Sequence, residues 1–248
     1  LRTICEQAAP SWPDNVPAII CAKGIEIDTC SLMSEVVAAA LPRIPIAVLS
    51  GPTFAIEVAK DLPTAVTLAC NDETLGKILM ELMNTRHFRI YRSRDLVGAQ
   101  IGGAIKNVIA IACGIVEGRG FGQNSRAALA TRGLAEMVRL GTAKGAQPET
   151  LSGLSGFGDL TLTCYSMHSR NFSLGVALGH GKELKKILDD RKSVAEGVYT
   201  ASSVADLARR IGVDVPICNA VNNVINQTVD IEVAITGLLS RPLKEETA

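Results

Sequence analysis

The sequence predicts an α/β layer followed by an all-helical C-terminal domain, and two observations support this prediction. Over residues 1–92, short apolar runs typical of buried strands alternate with segments of helical periodicity. After about residue 93 the strand pattern stops and long helical periodicity takes over. Apolar strands separated by helices favour a mostly parallel sheet with helices on both faces. We therefore predict two domains, residues 1–92 and residues 93–248.

The elements of the first domain can be read in order along the chain. The opening LRTICEQAA is typical of a helix interior, so we expect an N-terminal segment to be missing. Four strands are predicted in PAIICAKG, IAVLSGP, TAVTLAC and FRIYRS, and helices in SLMSEVVAAAL, FAIEVAKDL and ETLGKILMELM. In the second domain the helical pattern is broken at the glycine-rich SGLSGFGD and near GHGK.

Composition and charge exclude several classes of protein. Of the 248 residues, 47% are hydrophobic and 20% are charged, which is typical of a globular protein. The 25 Lys and Arg residues balance the 25 Asp and Glu residues, which gives no basic footprint for nucleic acid or a membrane surface. Seven widely spaced cysteines without a CxxC pair indicate reduced thiols in a cytoplasmic protein. The three histidines show no metal-ligand spacing, so no metal site is predicted.

One lysine lies within a long apolar segment. Between residues 96 and 116 the only charged side chain is Lys106. A membrane span is disfavoured, because a central lysine costs roughly 2.5–3.5 kcal/mol on the insertion scale. On a 3.6-residue period, small residues share a face with Lys106 and leave room for a ligand or another backbone. A structural lysine that reaches solvent or pairs with a carboxylate stays an alternative, but the cost of an unpaired charge here favours a functional site.

Two loops follow predicted strands, at the edge where such sheets bind ligands. CAKG places Lys23 and Gly24 after the first strand. SGPTFA places Gly51, Pro52 and Thr53 between a strand and a helix, where backbone N–H groups could face an anion. Each loop is also compatible with an ordinary strand-to-helix turn. The dinucleotide motif GxGxxG is absent from the sequence.

Polar motifs of the helical domain supply further candidates. SGLSGFGDLTLTC ends a glycine-rich turn at Asp159, with Thr163 one helical turn later, and a plain N-cap is the alternative role for Asp159. SVAEGVYT places Glu196 before a glycine, which is a weak signal alone. HSRNFSLG combines an arginine with a hydroxyl and an amide, which suits either a phosphate or a solvated helix end. The residues of that motif are Ser169, Arg170 and Asn171.

The ordered set CAKG, SGPTFA, GGAIKNVIAIACG, GLSGFGDLTLTC, SRN and AEGVYT resembles the bacterial NAD(P)-dependent glycerol-3-phosphate dehydrogenases, from about residue 18 to at least residue 224. The resemblance implies that the first domain is the remainder of a Rossmann-type sheet without its GxGxxG segment, so this chain alone is expected to be inactive. It implies an oxidoreductase that interconverts sn-glycerol 3-phosphate and dihydroxyacetone phosphate with NAD or NADP and supplies phospholipid synthesis. We expect a cytoplasmic protein with no nucleic-acid partner and no membrane span, and a homodimer stays open.

The resemblance also implies roles for individual residues. Lys106 is the implied proton donor or acceptor at the substrate oxygen, and Asp159 orders it. Thr53 stands where the family usually has serine, and the hydroxyl is retained. The implied substrate contacts are Lys23, Gly51, Thr53, Lys106, Asp159, Thr163, Ser169, Arg170 and Asn171. The implied cofactor contacts are Lys23, Ala55, Arg170, Val194 and Glu196.

Two other functions stay open on the sequence. A related dehydrogenase of β-hydroxyacids or 6-phosphogluconate also joins a Rossmann domain to a helical domain with a catalytic lysine. A substrate panel separates that enzyme from a glycerol-3-phosphate dehydrogenase. The second alternative is a non-catalytic binding or interaction module left by loss of the cofactor unit. Preference for NAD or NADP is not predicted, because the residues that read the 2′-phosphate would lie in the missing segment.

Overall fold

The computed structural model describes residues 1–190, 194–243 and 245–246. All four predicted strands and all four predicted helices of the first layer are present. The first strand and the third helix are shorter than the sequence stretches that predicted them. The elements are α1 (Arg2–Ala8), β1 (Ala18–Ile20), α2 (Met33–Ala40), β2 (Ile46–Ser50), α3 (Ala55–Ala59), β3 (Thr64–Cys70), α4 (Glu73–Met83) and β4 (Phe88–Ser93).

The strands form one four-stranded sheet in the order β1-β2-β3-β4. The β1–β2 and β3–β4 pairs are parallel, as predicted, whereas β2 and β3 are antiparallel, with Val48 opposite Ala69. The middle pair therefore differs from the parallel arrangement. A parallel crossover needs a dozen or more residues and usually a full helix. The link between β2 and β3 is long enough for a crossover but contains only the five-residue α3 in place of a full helix, and β3 runs back beside β2.

Helices cover both faces of the sheet, as the apolar strand runs predicted. On one face Ile20, Val48 and Ala69 pack with α1, α2 and the beginning of the helix that follows β4. On the other face Leu68 and Ile90 pack against α4. Because neighbouring residues of a strand point to opposite faces, β1, β2 and β3 each contribute to both clusters.

Every regular element among the described residues of the second part of the chain is a helix. The predicted break at SGLSGFGD is a π-helical turn over Leu154–Gly158, and the break near GHGK separates two helices. The helices are α5 (Leu96–Gly118), α6 (Gly122–Ala143), α7 (Pro148–Ser152), α8 (Asp159–Cys164), α9 (Arg170–Gly179), α10 (Leu184–Asp189), α11 (Glu196–Ile211), α12 (Pro216–Ile225) and α13 (Ile231–Leu239).

Helix α5 is the central element of the helical part. It is long and apolar enough to cross a membrane, but residues 98–116 are all buried inside the protein. Its glycines allow α9 to pack against it backbone to backbone. A Cβ at Gly114 would lie 2.2 Å from the carbonyl oxygen of Phe172, and one at Gly175 would lie 2.2 Å from that of Ile111. Helix α5 is thus a core helix, and Lys106 lies at its middle.

Candidate active site

The buried Lys106 pairs with Asp159, the first residue of α8. Lys106 Nζ lies 2.5 Å from Asp159 Oδ1, and Asp159 is fully buried. Gly102 brings the two elements together, because a Cβ there would lie 2.3 Å from the carbonyl oxygen of Ser155 in the π-helical turn. The carboxylate of Asp159 caps no helix. Its carboxylate accepts hydrogen bonds from lysine side chains, which excludes the plain N-cap alternative.

A second lysine binds the other oxygen of the same carboxylate. Lys23 Nζ lies 2.5 Å from Asp159 Oδ2, and the Lys23 side chain is 24% exposed, against 8% for Lys106. Gly103 of α5 makes room for it, since a Cβ there would lie 3.4 Å from Lys23 Cδ. The small face of α5 therefore accommodates a side chain from the loop after β1, where the sequence predicted room for a ligand or another backbone.

The cluster of two ammonium groups and one carboxylate sets the titration of Lys106. Burial lowers the pKa of Lys106 most, the charge of Lys23 lowers it further, and Asp159 raises it, with a result of about 8. Thr163 accepts a hydrogen bond from Lys106 Nζ at 3.0 Å and donates one to the carbonyl oxygen of Asp159 at 2.6 Å. Asp159 and Thr163 thus account for two of the three ammonium hydrogens of Lys106.

The predicted phosphate motif lies at the beginning of α9. Ser169 is the N-cap, with its Oγ accepting from the Phe172 amide at 3.1 Å. Arg170 Nη2 donates to Glu196 Oε1 at 2.6 Å, and both side chains are partly exposed. Asn171 is buried, and its Oδ1 accepts from the Gly197 amide at 2.9 Å. These contacts join the beginning of α9 to the beginning of α11.

The beginning of α11 in turn lies beside the lysine cluster. A Cβ at Gly197 would lie 2.7 Å from the carbonyl oxygen of Asn107, the residue after Lys106. A Cβ at Gly24 would lie 3.5 Å from Thr200 Oγ1. Helix α11 therefore fits between α5 and the loop that carries Lys23.

The loop after β2 completes the surroundings. Gly51 has φ +151°, and a Cβ there would lie 3.0 Å from Val66 Cα, so the position requires glycine. The Phe54 ring meets the ring of His168 edge to face at 5.9 Å, which joins this loop to the segment before α9. Thr53 is half-buried, whereas Ala55 and Val194 are exposed. We use "the cleft" for the region bordered by residues 21–24, residues 51–55 and the first turns of α8, α9 and α11.

Sequence reasoning missed several contacts around the cleft. The Lys23–Asp159 ion pair joins residues 136 positions apart, and no local pattern signals it. The Asn171–Gly197 hydrogen bond joins two motifs that the sequence presented separately. These contacts fix how the predicted residues stand around Lys106.

The fold and the site combine an α/β sheet domain with a helical domain, and the loops of the sheet face a lysine–aspartate pair of the helical domain. The chain belongs to the NAD-dependent glycerol-3-phosphate dehydrogenase family. The family model of the N-terminus matches residues 1–76, and that of the C-terminus matches residues 95–236. The resemblance inferred from the motifs is therefore confirmed.

Individual relatives agree with the family models. The glycerol-3-phosphate dehydrogenase (NAD(P)+) of Rhodospirillum rubrum is 59% identical over 246 residues, which are 99% of this chain and 70% of the relative. That of Caulobacter vibrioides is 54% identical over 246 residues, 99% of this chain and 74% of the relative. The crystal structure of glycerol-3-phosphate dehydrogenase from Coxiella burnetii superposes with a TM-score of 0.93 at 39% identity, over 97% of this chain and 74% of that one.

Proposed function

We propose that the cleft interconverts sn-glycerol 3-phosphate and dihydroxyacetone phosphate with NAD or NADP, the activity that its relatives are named for, and so supplies glycerol 3-phosphate for phospholipid synthesis. The observation that carries the proposal is the buried Lys106–Asp159 pair, with Lys106 Nζ 2.5 Å from the carboxylate. Ketone reduction develops negative charge on oxygen. A buried ammonium can stabilise that charge and deliver the proton.

Lys106 is the proposed acid in reduction and the proposed base in oxidation. A pKa of about 8 lets both protonation states exist near neutral pH. Asp159 and Thr163 hold two of the ammonium hydrogens, and the third is the one we assign to the substrate oxygen. After proton transfer, Lys23 and Asp159 remain as a neutral pair, so no uncompensated charge is left buried.

The beginning of α9 is the proposed phosphate subsite. Arg170 offers a planar fork of donors, which suits a phosphate better than a point charge does. Ser169 Oγ accepts from a backbone amide and keeps its own hydrogen to donate, and Asn171 uses its Oδ1 and keeps its Nδ2 hydrogens. Because the phosphate is remote from the reacting carbon, its binding orients the ketone at Lys106.

The residues around the cleft fit a nicotinamide dinucleotide. Lys23 keeps its side chain partly exposed after the carboxyl end of β1, and the paired Arg170 and Glu196 offer both a cation and an acceptor at the opposite border. When bound, the cofactor supplies the hydride. The residues proposed to hold it are Lys23, Ala55, Arg170, Val194 and Glu196.

The proposed division of labour follows the two parts of the chain. Residues 1–92 would be the remainder of the dinucleotide-binding domain and residues 93–248 the helical substrate-binding and catalytic domain, and each part would contribute residues to both the cofactor and the substrate. We also propose a homodimer in the cytoplasm. Six of the nine residues of α13 are apolar and none is buried, which supports an assembly face there. Sedimentation analysis of the full-length enzyme tests the dimer.

A substrate panel on the full-length enzyme tests the proposed activity. Dihydroxyacetone phosphate with NADH or NADPH should give the highest kcat/KM. A β-hydroxyacid and 6-phosphogluconate are the competing substrates, and preference for either would overturn the proposal. Lys106→Ala serves as the matched inactive variant, so that contaminating activity is recognised.

A further inference from the structure

Ser50 is a buried polar residue that the proposed mechanism does not use. It is the last residue of β2 and is only 5% exposed. Its Oγ has no hydrogen-bond partner among the described residues. Burying an unpartnered hydroxyl costs free energy, so such groups usually hold a water molecule or serve a function.

The Ser50 hydroxyl and the Lys23 side chain meet at one point of α5. A Cβ at Gly103 would lie 3.1 Å from Ser50 Oγ and 3.4 Å from Lys23 Cδ. Gly103 precedes Lys106 by three residues, which is about one helical turn. Ser50 Oγ is therefore close to the aliphatic part of the Lys23 side chain.

A small cavity lies at this point. It has a volume of about 10 Å³ and is lined by Ala22, Lys23, Gly24, Ser50 and Gly103, among others. That volume is at the lower limit for one water molecule, which needs two to four polar partners. Ser50 Oγ is one partner, and residues 22–24 each carry a backbone N–H and C=O.

We propose that Ser50 is a positioning residue for Lys23, acting through one water molecule held in this cavity. The water would join the end of β2 to the loop after β1 and keep Lys23 Nζ on Asp159 Oδ2, 2.5 Å away. The inference rests on the proposed function, because it matters for catalysis only if Lys106 and its neighbours carry out the proton transfer.

Ser50→Ala removes the hydroxyl, and Ser203→Ala is its matched control. Ser203 in α11 is also buried with an unpartnered Oγ. In the full-length enzyme, Ser50→Ala should lower kcat/KM for dihydroxyacetone phosphate roughly 10- to 100-fold, the usual effect of a misplaced group. Ser203→Ala should leave kcat/KM unchanged and raise the melting temperature.

The pH profile separates positioning from a merely structural role. The charged groups that face Lys106 are Lys23 and Asp159, and the Cys164 thiol lies near it. If Lys23 moves away from Asp159 and Lys106 in Ser50→Ala, its charge lowers the pKa of Lys106 less. The pH at which the reduction rate falls should then be higher than in the unmodified enzyme. A Ser50→Ala enzyme that behaves like Ser203→Ala in all these measurements would overturn the proposal.

A crystal structure of the unmodified enzyme tests the water itself, whether or not Ser50→Ala folds. Density for a water within hydrogen-bond distance of Ser50 Oγ is expected, and an empty cavity overturns the proposal. Failure of the proposed function is seen separately, as normal turnover by Lys106→Ala.

Discussion

Lys23 and Lys106 bind the two oxygens of one carboxylate, each Nζ 2.5 Å from Asp159. The pair is asymmetric, because Lys106 is buried in α5 while Lys23 is partly exposed at the cleft. Lys106 is thereby shielded from solvent, and the charge of Lys23 lowers the pKa of Lys106. The asymmetry gives the two lysines separable effects on the rate and its pH dependence.

Lys106→Ala should lower kcat in the full-length enzyme by roughly 10²–10⁴-fold, the usual share of a positioned acid or base. The fold should survive, because alanine suits a helix interior and Asp159 keeps Lys23 as its partner. Steady-state kinetics and circular dichroism check the two halves of this prediction. Lys144→Ala, which removes a lysine paired with Glu35, is the control and should keep normal turnover. Near-normal kcat in Lys106→Ala would mean that the lysine is structural.

Lys23→Met should move the pH dependence of the reaction. Reduction needs protonated Lys106, so its rate should fall as pH rises through about 8, and oxidation should show the opposite trend. Removing the positive charge of Lys23 raises the pKa of Lys106, so the fall of the reduction rate and the rise of the oxidation rate should both shift to higher pH. Profiles of kcat/KM from pH 6 to 10 measure the shift. Unchanged pH profiles would show that a group other than Lys106 titrates.

Asp159→Asn should destabilise the protein, because it leaves a buried ammonium without its carboxylate. Breaking a buried ion pair typically costs about 3–5 kcal/mol. The loss should be smaller at high pH. Asp159 raises the pKa of Lys106 to about 8, so its loss lowers that pKa, and between the lower value and about 8 only the variant gains stability as pH rises. Urea unfolding at pH 7 and pH 10 tests this, and a deficit that grows with pH would contradict it.

Arg170→Ala should weaken the phosphorylated substrate selectively. The expected loss is about 2 kcal/mol, at the lower end for a charged contact because Arg170 is half exposed. Dihydroxyacetone, which lacks the phosphate, is the matched substrate. Its kcat/KM should change far less, and Arg170→Lys should recover only part of the loss. An equal loss of kcat/KM for both substrates would mean that Arg170 acts on the cofactor or on the fold.

Gly114→Ala should destabilise the helical part by at least about 1–3 kcal/mol, because the added methyl meets a backbone carbonyl oxygen at 2.2 Å. Gly237→Ala is the matched helical control, since its Cβ would meet nothing within 4 Å. That variant should be neutral or slightly stabilising. Thermal unfolding of both variants checks the contrast. Similar melting temperatures would show that α5 and α9 can separate without cost.

Local patterns sufficed for much of the fold and for the choice of Lys106. Apolar runs located the strands, and the contrast between one charge and an apolar helix singled out the lysine. The direction of β3 was not predictable, because an apolar run carries no information on which way its neighbour runs. The buried Glu136 was also missed. Its carboxylate accepts from the Ile217 amide at 2.6 Å, a contact 81 residues away, whereas in sequence it resembles any charged helix residue.

The backbone contact between α5 and α9 fixes the distance between the residues that the two helices carry. Lys106 is fixed on α5, and the arginine proposed for the phosphate begins α9, so the glycines at the crossing set the span between the two ends of the substrate site. Neither helix can slide along the other without driving a carbonyl group into a Cα atom. With Lys106 and Arg170 in their proposed roles, the spacing of the two helices would select the length of the substrate, and a substrate one carbon longer would have its carbonyl group displaced from the proton donor.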